Sequence, residues 1–311
     1  MQLAGFHHVT SVTADIVANH AFYVRTLGLR LVKKSVNQDD VSAYHLFYGD
    51  GEGAPGTELT FFDWRMPHEH RGTCSVVRTG LRVAADADLC WWEERLHAAD
   101  VVVHPIQLLD GRLTLPFEDP EGHRLALVAD NQGSSGPAWA GSTVPPEHRI
   151  LGLGPVMMCV PALAPTQRVL EQVLGMRWVR RYELAGVPVE VFAMGANGPA
   201  GELHVAIEPG ADVARLGAGG VHHVAFRTSA SDFKKWEEQL CGARVANSGP
   251  VDRYYFKSLY FREPSGVLFE IATSEPGFAV DEPLETLGQR LALPPFLEPR
   301  RAKIEAGLVP L

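Results

Sequence analysis

The dipeptide His-His occurs twice in the chain. Each copy opens a strand-like stretch, Gly5-Phe6-His7-His8-Val9-Thr10 and Gly220-Val221-His222-His223-Val224-Ala225. Behind the second lies Gly266-Val267-Leu268-Phe269-Glu270-Ile271, an apolar run interrupted by one carboxylate. Two neutral imidazoles and one carboxylate on a common face are the donor set that binds a divalent first-row metal and leaves coordination positions open. A carboxylate buried in an apolar strand is costly unless a metal or a cation offsets its charge, which singles out Glu270. Neighbours on a strand point to opposite faces, so each His pair presents one imidazole directly to such a site.

The elements that must position these residues recur. Four segments share one outline, a short strand, an amphipathic helix, then strands ending in an apolar run. The first strands are Phe6–Val12, Val76–Val83, Val156–Val160 and Val221–Thr228, and the helices follow at about Ile16–Thr26, Asp86–His97, Ala164–Val173 and Ser231–Leu240. Val17, Ala21, Val24 and Leu27 recur at helical spacing in the first module, as do Phe233, Trp236 and Leu240 in the last. Leu27-Gly28 and Leu174-Gly175 place glycine where a helix ends. The turns Asp119-Pro120-Glu121-Gly122 and Glu263-Pro264-Ser265-Gly266 match between the second and fourth modules. Tyr44–Tyr48 and Val187–Ala193 alternate as middle strands, and the Gly-, Ser- and Pro-rich segment 131–149 divides two halves. After Thr273 comes a Pro-rich tail with one expected helical stretch near Glu285–Leu291.

This repeat, with His on a first strand and Glu on a last strand, resembles the vicinal oxygen chelate superfamily of glyoxalases, bleomycin-resistance proteins and extradiol dioxygenases. The four modules, the distribution of His8, His223 and Glu270, and the tail Leu291-Ala292-Leu293-Pro294-Pro295-Phe296-Leu297-Glu298-Pro299-Arg300-Arg301 resemble its hydroquinone 1,2-dioxygenase branch, the PcpA, LinE and MhqO type, over essentially the whole chain. The resemblance implies an α+β fold of tandem βαβββ modules, four modules in two domains that form cupped mixed sheets. Residues 1–135 and 150–275 would hold two modules each, and 276–311 a C-terminal tail.

Aligned on one another, the modules read His8, Arg78, Met157 and His223 at the first-strand ligand position. At the last-strand position they read Thr60, Ala126, His204 (loosely aligned) and Glu270. Only modules 1 and 4 offer a hard-cation donor set, so one metal is expected in a cup built from them. The resemblance implies His8, His223 and Glu270 as the ligands, with Fe(II) as the metal and Mn(II) or Zn(II) as rivals. It further implies that His7 and His222 support the ligands or move protons, since an ordinary imidazole titrates near neutral pH. Tyr260 and Arg253 would orient a substrate and stabilise developing negative charge. Thr10, two residues after His8, shares its face and would line the cup. Met157-Met158 and His204 read as structural.

The function expected is a metal-dependent, non-haem Fe(II) ring-cleaving dioxygenase acting with O2 on a hydroquinone-type or catechol-type ring. Two rivals are a glyoxalase-like lyase or isomerase acting on a thiol adduct, and a non-catalytic small-molecule binder. Thr60 in the fourth ligand position counts against the former, and the intact donor triad against the latter. Composition narrows the partners. A net charge of -9 and a pI near 5.8 lack the basic stripe that phosphate binding needs, so nucleic acid is not expected. No run is apolar for long enough to cross a bilayer, and the N-terminus does not read as a signal peptide. Cys74, Cys90, Cys159 and Cys241 include no Cys-x-x-Cys pair and fit thiols in a reducing cytoplasm. The sequence is compatible with a homo-oligomer.

Overall fold

The computed structural model describes residues 1–131, 136–195 and 198–311. Strand-helix-strand alternation resolves into four modules. The first contains β1 (Phe6–Thr13), α1 (Ile16–Ala21), β2 (Arg30–Val36), β3 (Tyr44–Gly49) and β4 (Glu58–Asp63). The second has β5 (Ser75–Val83), α2 (Asp86–Ala98), β6 (Val102–Val103), β7 (Gln107–Leu109), β8 (Arg112–Glu118) and β9 (Arg124–Ala129). The third has β10 (Gly152–Val160), α3 (Leu163–Arg168), β11 (Arg177–Leu184), β12 (Val187–Ala193) and β13 (Glu202–Ile207). The fourth has β14 (Val221–Thr228), α4 (Ala230–Gly242), β15 (Val251–Asp252), β16 (Lys257–Arg262) and β17 (Leu268–Thr273). The first and third helices continue into π-helical turns at Phe22–Thr26 and Val169–Val173, and stop where Gly28 and Gly175 adopt φ of +69° and +67°.

Two curled mixed sheets result, which is the α+β architecture expected. One runs β15-β16-β17-β14-β1-β4-β3-β2, and the other runs β11-β12-β13-β10-β5-β9-β8-β6, with β7 on β8. Each sheet therefore takes one module from each sequence half. Within a module the first and last strands are parallel neighbours, and across the centre of each sheet two first strands pair antiparallel. The helices bury Leu89, Trp92, Phe233, Trp236 and Leu240 in one continuous core with strand residues such as Val9, Leu81, Phe226 and Phe269. The opposite face of each sheet is left to form the inside of a cup.

Of segment 131–149, residues 132–135 lie outside the described ones. The remainder is tied down, with Gly51 N–H donating to the Pro137 carbonyl and the Trp92 indole to that of His148. The tail differs from expectation. No α-helix forms at Glu285–Leu291; a single 3₁₀ turn spans Leu284–Thr286, and the tail's helix is α5, Arg301–Gly307. Gly288 explains the break. It adopts φ +76° and passes so close to Leu31 that a Cβ there would lie 1.9 Å from the Leu31 carbonyl oxygen. The chain then bridges to Lys34 through Leu291 in extended form.

One buried cation holds the tail in place. Lys33, fully buried on β2, donates to the Phe278 carbonyl (3.1 Å), to Asp281 (2.7 Å) and to Glu282, and lies 4.7 Å from the centre of the Tyr255 ring. Tyr255 in turn donates to Asp281 at 2.9 Å. Removing one partner of a buried ion pair strands the other charge. Lys33→Ala is therefore expected to destabilise the protein by about 3–5 kcal/mol in urea unfolding. A loss of under about 1 kcal/mol would mean that the tie contributes no more than a surface ion pair.

Candidate metal centre

The antiparallel seam between β1 and β14 carries two irregularities, and they fall on the histidine pairs. Phe6 faces Phe226 and His8 faces Ala225, so His7 is an extra residue on β1. Thr10 faces His223 and Ser11 faces Val221, so His222 is an extra residue on β14. Each is a β-bulge, which sets aside strict alternation and lets two successive side chains approach one another. His7 Nδ1 lies 3.0 Å from His8 Nδ1, and His222 Nδ1 lies 2.8 Å from His223 Nδ1.

The partners of His7 assign the protons. Its Nε2 lies 3.0 Å from the carbonyl oxygen of Thr273, which only accepts, so Nε2 carries the hydrogen. Burial, reinforced by His8, lowers the His7 pKa to about 3, so the ring is neutral and its Nδ1 is an acceptor. His8 must then donate from Nδ1, which leaves the lone pair of its Nε2 facing the cup. Those lone pairs converge. His8 Nε2 is 3.1 Å from His223 Nε2 and 3.2 Å from Glu270 Oε2, and His223 Nε2 is 2.9 Å from the same oxygen. Glu270 Oε2 is buried and makes no hydrogen bond, while its Oε1 accepts from Ser258. Burial alone would raise the Glu270 carboxyl, but His8 and His223 outweigh it and hold it well below the usual range. Burial likewise lowers His223 despite its attraction to Glu270.

Three donor atoms 2.9–3.2 Å apart, with Glu270 Oε2 buried and otherwise unpartnered, fit a shared cation. Ligands about 2.1 Å from a hexacoordinate divalent ion are about 3.0 Å apart along a cis edge. His8, His223 and Glu270 can therefore hold such an ion on one face. Thr60 pairs with Thr10 as Glu270 pairs with Ala225, so it takes the fourth, equivalent place and offers only a hydroxyl.

The remaining candidates are near. Thr10 Oγ1 is 3.0 Å from His223 Nε2 and 2.7 Å from Thr60 Oγ1, and Thr60 Oγ1 lies 3.0 Å from His45 Nε2. This chain leads from the cavity wall to a triad atom. Tyr260 is cross-strand partner to Glu270, and Arg253 Nε donates to its hydroxyl at 3.3 Å while Arg253 Nη2 donates to Asp39 at 2.8 Å. Both side chains border a cavity of about 40 Å³ together with His8, His45, His223 and the rings of Phe47, Phe62 and Phe256. That space holds water-sized guests; an aromatic ring requires its walls to open.

Two expectations need correction. His7 and His222 do not titrate near neutral pH. Burial first, then the neighbouring His8 or His223, lowers each to about 3, so both rings are neutral. Met157 does not hold the first-strand ligand position of module 3. Met157 pairs with His204 as Ala225 pairs with Glu270, so the position two residues earlier, Pro155, matches His223. A strand-centred alignment missed the bulge in between. His204 does match Glu270 in register, but its cluster with Asp110 and Glu202 is an ion-pair network. Arg180 donates to Asp110 and Glu202, and Arg112 to Glu202, at distances near 2.8 Å. Cationic side chains already neutralise those carboxylates.

The sequence did not single out His45, Ser258 or Glu58. Glu58 is buried opposite His8 on the neighbouring strand, its Oε2 3.7 Å from His7 Nδ1, and burial raises its pKa well above the usual value. The interrupted apolar strand Glu58-Leu59-Thr60-Phe61-Phe62 carried the same signal that drew attention to Glu270.

A model of the Glyoxalase/Bleomycin resistance protein/Dioxygenase superfamily matches residues 5–127 and 152–271. A Bacillus subtilis protein named "Putative ring-cleaving dioxygenase MhqA" is 46% identical, with all of both chains covered. The chlorohydroquinone/hydroquinone 1,2-dioxygenase of Sphingobium indicum is 30% identical over 96% of this chain and 93% of its own. A solved Bacillus subtilis protein described as a "putative dioxygenase" superposes with a TM-score of 0.92 at 34% identity, covering 100% of this chain and 98% of that one. Glyoxalase I of Zea mays shares the fold with a TM-score of 0.66 at 17% identity, over 87% of this chain and 94% of that one. With its repeated modules, its two cupped sheets and these full-length relatives, the chain belongs to the Glyoxalase/Bleomycin resistance protein/Dioxygenase superfamily.

Proposed function

We propose that the protein is a ring-cleaving dioxygenase that uses a divalent metal, Fe(II), to open a hydroquinone-type or catechol-type ring with O2. The observation that carries this reading is the convergence of His8 Nε2, His223 Nε2 and the unpartnered Glu270 Oε2 at the base of an aromatic-lined cavity. The names of the relatives, ring-cleaving and hydroquinone dioxygenases, agree with it. His8, His223 and Glu270 would hold Fe(II), which would supply the redox chemistry between a bound phenolate and dioxygen.

The chain's own residues supply the rest. The hydrogen bond from His8 Nδ1 into neutral His7 fixes the orientation and basicity of His8, and His222 stands in the same relation to His223. Phe47, Phe62 and Phe256 give a ring apolar walls that exclude water. Burial, and then Glu270, raises the Tyr260 phenol, which stays protonated as a donor toward a substrate oxygen. Arg253 adds a fixed positive charge beside it, where negative charge develops on the substrate. Neutral His45, linked through Thr60 and Thr10 to the triad, lines the cavity where it can accept a proton from an incoming phenol. Asn37 and Gln38 also line the cavity, whose walls must part to admit a ring.

Four outcomes test the reading. Protein reconstituted anaerobically with Fe(II) is expected to consume oxygen stoichiometrically with a hydroquinone or a catechol. Glu270→Ala is expected to abolish both this uptake and stoichiometric metal binding, and uptake that survives the substitution would overturn the assignment. Tyr260→Phe should retain the metal and slow turnover by roughly 10²-fold, the loss typical of one donor to a developing oxyanion. Because His223 rests neutral and Glu270 ionised, metal uptake at pH 7.5 should release fewer than about one proton per ion. Calorimetry in buffers of different ionisation heat reads this number, and release of two or more would contradict the proton assignment.

A further inference from the structure

The second sheet repeats the seam of the first with different occupants. Arg78 faces Met157 and Val76 faces Met158, so Val77 is the extra residue where the first sheet has His7. By the same register Arg78 stands where His8 does, Pro155 where His223 does, His204 where Glu270 does, and Ala126 where Thr60 does. A donor set for a cation has been replaced by a guanidinium.

That guanidinium has nothing to bind within the described protein. Arg78 makes no ion pair or hydrogen bond among the described residues, and its Nη1 is buried without a partner. Burial lowers its pKa, Tyr182 partly opposes this, and nearby Arg124 adds repulsion. Arg124 reaches Glu69 through Nη2 at 3.0 Å, but its Nε is also buried and unpartnered. Both arginines border a cavity of about 490 Å³. The acidic groups on its wall are otherwise engaged. Glu118 accepts from Arg71 at 2.7 Å, and Glu208 faces Cys159 Sγ at 3.5 Å. The rest of the lining near Arg78 is apolar, with Met157, Val187 and Ala206.

We propose that this second cup is a binding site for a small organic carboxylate with an apolar body, its carboxylate held by Arg78 and Arg124 and its body against Met157 and Val187. A planar guanidinium matches a carboxylate in two parallel hydrogen bonds, and an unpaired buried charge is the costly arrangement that such a ligand relieves. The apolar wall selects against inorganic anions, which gain nothing from it. The site is independent of any reading of the first cup.

The test is calorimetric titration of the full chain with benzoate, and with benzamide as its neutral counterpart. Wild type and Glu270→Ala, in which the first cup is disabled, should each bind one benzoate, and benzamide should not bind. Arg78→Gln should weaken benzoate at least about tenfold, the factor that one charge-assisted hydrogen bond supplies, and Arg78→Lys should restore part of it. Arg78→Gln should also melt no lower than wild type without ligand, because it removes a buried charge, and benzoate should raise the melting temperature of wild type more than that of Arg78→Gln. Equal benzoate affinity in Arg78→Gln, equal binding of benzamide, or no binding of benzoate would each overturn the proposal. Should Arg78→Gln fail to fold, Met157→Trp fills the cavity with the arginine retained, and unchanged benzoate binding there would overturn it equally.

Discussion

The arrangement depends on a pair of β-bulges where β1 meets β14. In a regular strand His7 and His8 would point to opposite faces, and only one could approach the cup. The extra residue on each strand turns both imidazoles of a pair into contact, Nδ1 to Nδ1, and the same device serves His222 and His223. With the carbonyl of Thr273 fixing one hydrogen, a single chain of donors and acceptors runs from backbone to ring to ring and presents an unprotonated nitrogen at the cup floor. Bulges are a backbone feature of the fold. The second sheet keeps its bulge at Val77 and loses the imidazoles. The backbone thus provides a place where adjacent side chains converge, and each cup's occupants decide the sign of charge it accommodates.

A second constraint links the cup to the tail. Lys33, on the far strand of the first sheet from Glu270, needs carboxylates in a medium where water does not reach it, and Asp281 and Glu282 supply them. Tyr255 shares Asp281 and also borders the cavity. Phe278 packs against Phe47 and Tyr255, so the tail's first turn backs the aromatic wall of the site. Cup rigidity and tail anchoring are thereby one problem.

Much of this was legible in sequence, because the legible parts are periodic or costly. Alternating strands, helices closed by Gly28 and Gly175, and the matched turns at Pro120 and Pro264 are repeating local patterns. Glu270 drew attention because an unpaired carboxylate does not belong in an apolar strand. What stayed hidden depends on partners distant in sequence. The bulges exist only relative to the opposite strand, so an alignment of strands on one another placed Met157 where Pro155 belongs. The depth of burial that keeps His7 and His222 neutral is likewise invisible locally. His45 is an ordinary residue of an alternating strand until Thr60 is found beside it. The tail helix was misplaced because helical spacing at Glu285–Leu291 competes with a close backbone approach at Gly288, which only Leu31 reveals.

The order of the strands along the chain has a consequence for biosynthesis. His8 is synthesised early relative to its partner, since the imidazole that it faces follows 215 positions later. Throughout that interval β1 has a bare edge, and so has β5 until β10 arrives, which exposes the nascent chain to mispairing. Neither central seam can close before the other half exists, so the two halves must thread together late, across long loops, and slowly. A chain released early would carry His7 and His8 but neither β14 nor β17. On the proposed reading the triad of His8, His223 and Glu270 comes together only in finished molecules.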